Sequence, residues 1–291
     1  MILYEKIPPR LYEYSISAAQ KDLLVLPGLV LRIHGFKDTA LSQIFEHEQW
    51  FIKVFSEDKK QISDLKKAFS RLKLPGINGA SRTLRPHQWL TRWKNHWKPL
   101  SLTEELDVAP FWYKGRYKTS KKVIFLDTLM SFGTGLHETT RLMAQLIEDN
   151  RSRTGRFLDI GTGTGILTLV ALKHGAQNPT AMDISPLSIE AAKSNLKANG
   201  FSARLILSDI GRLPSKQKYQ TVAANLITDD LLKHHIKISN LVKPGGSLLV
   251  SGISLDNLNR FEKGFEDLSL ECQKISKGKE WAAILYVKKT S

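Results

Sequence analysis

From residue 156 onward, apolar and polar positions fall into a repeating order of short β-branched runs and longer helical stretches. Phe157–Ile160 is the first run, and Ile166–Lys173 follows a glycine cluster with apolar residues at helix length. Thr180–Asp183, Arg204–Leu207, Thr221–Ala224 and Ser247–Val250 predict further strands, and Trp281–Val287 predicts the last. Pro186 opens one helix that Asn199 and Gly200 close, and another runs between Asp229 and Leu241 ahead of Lys243-Pro-Gly-Gly246. Strand and helix in this alternation predict an α/β fold, a parallel, doubly wound sheet covered on both faces.

The first third has a different rhythm, that of a small α+β unit. Leu11–Ser17 and Phe51–Phe55 alternate like strands, and Ile62, Leu65, Phe69 and Leu72 recur at helical spacing. Lys59, Lys60, Lys66 and Lys67 cover the other side of that helix. Pro75-Gly-Ile-Asn-Gly79 reads as a turn that closes the unit. A short helix then runs from Pro86 to Pro99, with Trp89, Trp93 and Trp97 on one face. We divide the chain into an α+β domain at 1–84, a tryptophan-rich linker and lead-in at 85–120, and an α/β domain at 121–291. The tryptophan face is read as packing between domains; stacking on bases is the alternative.

Composition narrows the class. The chain has 291 residues, and its 42% of hydrophobic residues suits a globular protein. No window reaches the roughly 20 apolar residues of a membrane span, and Met1–Ser17 lacks a secretory core, so no membrane partner is expected and the compartment is read as cytoplasmic. Cys272 is the single cysteine, which excludes an internal disulfide and a cysteine-cluster zinc site; no metal is expected. The net charge of +15 raises the question of nucleic acid, and the Lys66–Lys98 segment contains nine lysines and arginines and no acid. We favour a solvated basic face there over a nucleic-acid surface, since charge alone speaks to solubility and encounter.

Candidate chemistry gathers at the strand ends. Gly161-Thr-Gly-Thr-Gly165 follows a strand containing Asp159, and Asp183 ends the next strand 22 residues beyond Gly161, where a carboxylate accepts ribose hydroxyls. A nicotinamide fingerprint needs a third glycine at position 166, which is Ile166. The loop with Asp159 therefore points to S-adenosylmethionine, which brings a sulfonium and no phosphate. Asn225 ends the fourth strand beside the loop, either as an acceptor near the transferred methyl group or as a cap for the next helix. Phe132-Gly-Thr-Gly-Leu-His-Glu-Thr-Thr140 precedes a helix carrying Leu142, Met143, Leu146 and Ile147, and looks like a second loop folding onto a ligand.

In these segments, with Met182-Asp-Ile-Ser-Pro186, Ala224-Asn-Leu226 and Lys243-Pro-Gly-Gly246, the chain resembles the PrmA family, enzymes that methylate the eleventh protein of the large ribosomal subunit. The resemblance covers roughly residues 85–291. It implies a class I, Rossmann-like methyltransferase domain with a smaller N-terminal α+β domain. It also implies S-adenosylmethionine as cofactor, a ribosomal protein as partner, and methylation of lysine and N-terminal amines. Cofactor contacts carried over are Phe132, Gly133, Thr140, Gly161, Gly163, Asp183 and Asn225, with Asp209 as a candidate for the adenine amine. Where the family has Asp-Pro-Gly ahead of the phenylalanine, this chain reads Asp127-Thr-Leu-Met-Ser131.

Methyl transfer from a sulfonium to an amine is an in-line displacement governed by positioning. Asn225 is expected to orient the amine. His137 is a candidate proton relay, with the competing and favoured reading that it is tied into a helix start. The alternatives are an RNA methyltransferase and a non-catalytic module of the same fold.

Overall fold

The computed structural model describes residues 11–33, 42–46, 49–56, 58–84, 97–127, 137–153, 155–213, 217–265 and 269–290. The chain forms two compact units, Met1–Trp97 and Lys98–Ser291.

In the first unit the order is β1 (Leu11–Ala18), α1 (Val25–Ile33), β2 (Ser42–Glu46), β3 (Gln49–Ser56), α2 (Lys59–Leu72) and β4 (Ile77–Leu84). The sheet runs β2-β3-β1-β4, antiparallel throughout, which is the split β-α-β arrangement. Period-two alternation sends Tyr14 and Ile16 of β1 and Ile52 and Val54 of β3 into a core that Leu65 and Phe69 of α2 complete. Asp58 caps α2 by accepting from the Lys60 amide at 2.7 Å, and Lys73 ends it in a left-handed conformation. The outer face of α2 is basic and solvated, with Asp64 pairing to both Lys60 and Lys67 at 3.6 and 3.8 Å.

The turn expected to close this unit instead leads into β4, which pairs with β1 from Leu11↔Leu84 to Ala18↔Ile77. Its sequence, INGASRTL, lacks apolar alternation because β4 is an exposed edge strand. Gly79 is required within it, since a Cβ there would strike the Tyr14 hydroxyl. Trp89 and Trp93 lie outside the described residues; Trp97 is buried.

The second unit begins with a three-stranded sheet, β5 (Leu100–Ser101), β6 (Leu106–Pro110) and β7 (Lys122–Leu126), which the sequence reading left unassigned although β7 is the apolar run KVIFL. Then follow α3 (Glu138–Asp149), β8 (Arg156–Ile160), α4 (Ile166–Lys173), β9 (Gln177–Asp183), α5 (Pro186–Ala198), β10 (Arg204–Leu207) and β11 (Tyr219–Asn225). The chain continues through α6 (Thr228–Leu241), β12 (Val242–Ser254), α7 (Leu258–Gly264), β13 (Leu270–Lys277) and β14 (Trp281–Lys288). The seven-stranded sheet runs β10-β9-β8-β11-β12-β14-β13. Its first five strands are parallel, and β14 runs antiparallel to both neighbours.

Strands buried on both faces read as continuous apolar runs: Phe157 to Ile160 and Thr221 to Ala224 are all buried. Leu158, Val222, Leu248 and Ile284 meet Leu231, Ile238 and Phe261 in one core. The chain leaves β8 toward β9 and β10, then returns to β11 on the other side of β8. This reversal opens a crevice at the carboxyl ends of β8 and β11, the ligand position of such sheets. Among the described residues, no helix is long and apolar enough to cross a membrane.

Candidate active site

One wall of the crevice is the loop from Gly161 to Gly165. Gly161, Gly163 and Gly165 have φ of +73°, +54° and +81°, conformations costly for residues with a Cβ. The Gly161 and Thr162 amides both donate to the Met182 carbonyl at 2.9 Å, tying the loop to the end of β9. Gly165 packs so close to α5 that a Cβ would lie 3.1 Å from that of Ala192.

Asp159 stands behind this loop, fully buried. Its Oδ2 accepts from the Thr162 hydroxyl at 2.8 Å and from the Thr168 hydroxyl and amide at 2.7 and 3.2 Å. Burial pushes its pKa up to about 6, against the pull of those Thr168 and Thr162 hydrogen bonds. The carboxylate expected to neighbour the cofactor is thus committed to holding the loop against the first turns of α4.

Asp183, half-buried at the end of β9, accepts from the Gly163 amide at 3.0 Å through Oδ2 and from the Ser185 amide at 2.9 Å through Oδ1. A carboxylate has about four acceptor sites, so lone pairs remain for a diol. Asp183 is paired in register with Leu207, and beyond Leu207 comes the exposed Asp209, whose Oδ1 accepts from the Gly211 amide at 2.7 Å. Ile184 and Leu207 are 72% and 55% exposed, an apolar ledge between two acids. Sequence reasoning passed over both. The sequence shows Ile184 only as an apolar residue directly after the strand-ending Asp183; that it is left exposed emerges from the structure.

The opposite wall centres on Asn225. Its Nδ2 donates to the Thr139 hydroxyl at 3.1 Å, and the residue that caps α6 is Ile227, so the capping reading of Asn225 does not hold. Thr139 in turn lies 2.8 Å from His137 Nδ1. That nitrogen also accepts from the Thr139 amide at 3.3 Å, so the hydroxyl donates to it and the neutral ring carries its proton on Nε2. His137 is the N-cap of α3, and burial lowers its pKa, keeping the ring neutral at pH 7. Its ring meets Trp281 edge-on at 5.1 Å. Thr140 is buried in the first turn, with its amide on the His137 carbonyl.

Glu138 fixes this wall from the far side. Its carboxylate accepts from the amides of Lys279, Glu280 and Trp281 at 2.7, 2.9 and 3.1 Å, which lowers its pKa. On β12, Gly252 has φ of +89°, and a Cβ there would come within 2.6 Å of the Leu226 carbonyl carbon. Only glycine lets β12 approach the backbone that bears Asn225 so closely. The sequence reading missed Gly252, which belongs to no recognisable glycine pattern, and carried Thr139 only as part of the Phe132–Thr140 motif, without a role of its own. Phe132 and Gly133 lie outside the described residues.

These elements suit S-adenosylmethionine: a left-handed glycine loop that admits close backbone approach, a pinned acid with spare lone pairs, an apolar ledge, and no built phosphate cradle in the loop. Comparisons with known proteins agree. The family model described as ribosomal protein L11 methyltransferase (PrmA) matches residues 30–289. A ribosomal protein L11 methyltransferase of Geobacter metallireducens is 34% identical over 204 residues, covering 70% of this chain and 67% of its own. One from Desulforapulum autotrophicum is 29% identical over 272 residues, covering 90% and 89%. A solved ribosomal protein L11 methylase from Lactobacillus delbrueckii subsp. bulgaricus superposes with a TM-score of 0.60 at 26% identity, covering 66% of this chain and 100% of its own. Two independent lines, the ordered sequence motifs and the reversal of the sheet beside Asn225, thus converge: the chain belongs to the ribosomal protein L11 methyltransferase (PrmA) family and is an S-adenosylmethionine-dependent protein methyltransferase.

Proposed function

We propose that this chain methylates amines of a ribosomal protein, the substrate named for its relatives, and that Asn225 positions the accepting nitrogen. The observation that carries this is the hydrogen-bond chain from Asn225 through Thr139 to His137. Because Asn225 Nδ2 is engaged, its Oδ1 is presented as the acceptor for an N–H of the incoming amine.

S-adenosylmethionine supplies an electrophilic methyl group on a sulfonium. We assign Gly161, Gly163, Asp183 and Asp209 to holding it, with Thr140 at the start of α3 and Phe132 and Gly133 from the loop ahead of it. Asp159 serves that pocket indirectly, through Thr162 and Thr168. A lysine amine has a pKa of about 10.4 and an α-amine about 8, so the proton must leave before attack. With Nδ1 of His137 already an acceptor and the ring neutral, we assign His137 to orienting Thr139, and the proton to water. Alignment of the lone pair by Asn225 then supplies the main catalytic effect.

The α+β unit at 1–84 is proposed as the part that recognises the protein substrate, and the cytoplasm as the place of action. We read the basic Lys66–Lys98 segment as a solvated face, since its described helical lysines and arginine are exposed and Lys67 pairs locally with Asp64. The test is a radiolabelled methyl-transfer assay on ribosomal extract, followed by protease or nuclease. Label that is protease-sensitive and lost with Asn225→Ala is the expected result. Nuclease-sensitive label would overturn the substrate class, and no label with no heat of S-adenosylmethionine binding would return the non-catalytic reading.

A further inference from the structure

Helix α5 lies beside the pocket, and two of its asparagines do something that neither the family assignment nor the proposed chemistry uses. Asn195 is 1% exposed. Its Oδ1 accepts from the Asp127 amide at 2.8 Å, and its Nδ2 donates to the Thr164 carbonyl at 2.9 Å and the Asp127 carbonyl at 3.2 Å. One turn on, Asn199 accepts from the Phe125 amide at 2.9 Å and donates to the Phe125 carbonyl at 2.7 Å. Each side-chain amide imitates a strand, pairing with both backbone groups of one residue, Phe125 in β7 or Asp127 just after it.

The two asparagines nevertheless differ. Asn199 clips β7 alone. Asn195 clips the residue at which the chain leaves β7, five positions before Phe132, and also holds the glycine loop at Thr164. Ala192, one turn earlier on the same helix face, is the residue against which Gly165 packs. The face formed by 192, 195 and 199 is therefore the common reference for two segments that approach the pocket from different parts of the sequence.

We propose that Asn195 is a positioning residue for the methyl-donor site: it sets the distance between the glycine loop and the lead-in to the Phe132 segment. The proposal rests on the reading of this pocket as the S-adenosylmethionine site. Loss of Asn195 leaves the Thr164 carbonyl and both backbone groups of Asp127 without this partner, so both segments loosen together. Loss of Asn199 frees Phe125 and removes one donor from the Asn195 carbonyl, which keeps the Asn199 amide; it touches neither Thr164 nor Asp127.

The experiment compares Asn195→Ala, Asn195→Asp and Asn199→Ala in the full chain, by amide hydrogen exchange, thermal unfolding and titration with S-adenosylhomocysteine. For Asn195→Ala, exchange rises tenfold or more both at Asp127 and across 161–165, and Kd rises tenfold or more. Asn195→Asp still accepts from the Asp127 amide but cannot donate to Thr164, so it loses protection in the loop and keeps it at Asp127. This variant also serves if the alanine protein fails to fold. Asn199→Ala lowers Tm but changes Kd less than threefold.

Equal Kd changes in the Asn195 and Asn199 variants would overturn the proposal, as would unchanged loop protection in both Asn195 variants. If the parent protein bound no S-adenosylhomocysteine, the reading of the pocket would fall, while the exchange pattern would still decide whether Asn195 ties the two segments.

Discussion

The two walls of the active site are held by different kinds of bond. The glycine-loop wall is secured within one β-α-β-α stretch: Asp159 reaches Thr162 and Thr168, the Gly161 and Thr162 amides reach Met182 on the adjacent strand, and Ala192 and Asn195 of α5 back the loop. The Asn225 wall is secured by partners far apart along the chain, with Thr139 separated from Asn225 by 86 positions and Glu138 from Glu280 by 142. A wall of the first kind carries its shape in a short segment. The second kind exists only when three distant segments meet, so its residues are exposed to damage from remote changes.

That contrast can be broken most severely at Gly252. Gly252→Ala must adopt a left-handed conformation and push against the Leu226 backbone, and we expect a loss of about 4 kcal/mol in stability on chemical denaturation. A variant as stable as the parent would show that the Asn225 wall does not depend on this close approach.

The loop wall is tested next through Asp159. The folded carboxyl keeps its proton up to about pH 6, whereas the unfolded one loses it near pH 4. Between these values the native state binds more protons, so acidification favours it, and this contribution is lost as pH rises through 6. Two units correspond to about 3 kcal/mol at most. Relative to Asp159→Asn, the parent should therefore gain stability from pH 7 to pH 4, and a difference that stays constant with pH would refute the buried-carboxylate account.

Asn225→Ala should lower kcat about 100-fold with little change in the affinity for S-adenosylhomocysteine, as misplacement of a reacting group does. Full turnover with normal binding would remove Asn225 from the mechanism. Thr139→Val, which deletes one hydroxyl between Asn225 and His137, is the smallest perturbation. It should cost about fivefold in kcat, matching a hydrogen bond of about 1 kcal/mol, with cofactor affinity unchanged. An effect on affinity alone would place Thr139 in the other wall.

The difference between the walls also explains what could be read before folding. Gly161, Gly163 and Asp183 stand out because strand, glycine loop and acid occur within one β-α-β unit. Asp159 was visible as well, but its partners Thr162 and Thr168 become meaningful only once the loop turns back on α4. Thr139 was hidden beside Thr140, and its importance comes from Asn225, which no local pattern can supply. Gly252 resembled an ordinary strand glycine until Leu226 came to lie against it. The same holds away from the site. Strand β4 lacks apolar alternation and is defined by its pairing with β1, and β7 is fixed by its parallel pairing with β6.

Glu138 sets an order of assembly. Its carboxylate is satisfied by the amides of residues 279–281, which are synthesised well after the glycine loop. The glycine-loop wall can form once β8, α4, β9 and α5 have emerged, whereas the start of α3 must wait for the β13–β14 hairpin. At the usual pace of roughly 5–20 residues per second, a nascent chain would spend several seconds with the loop wall made and the amine-positioning wall unmade. The amine-positioning wall is thereby the later of the two to be completed.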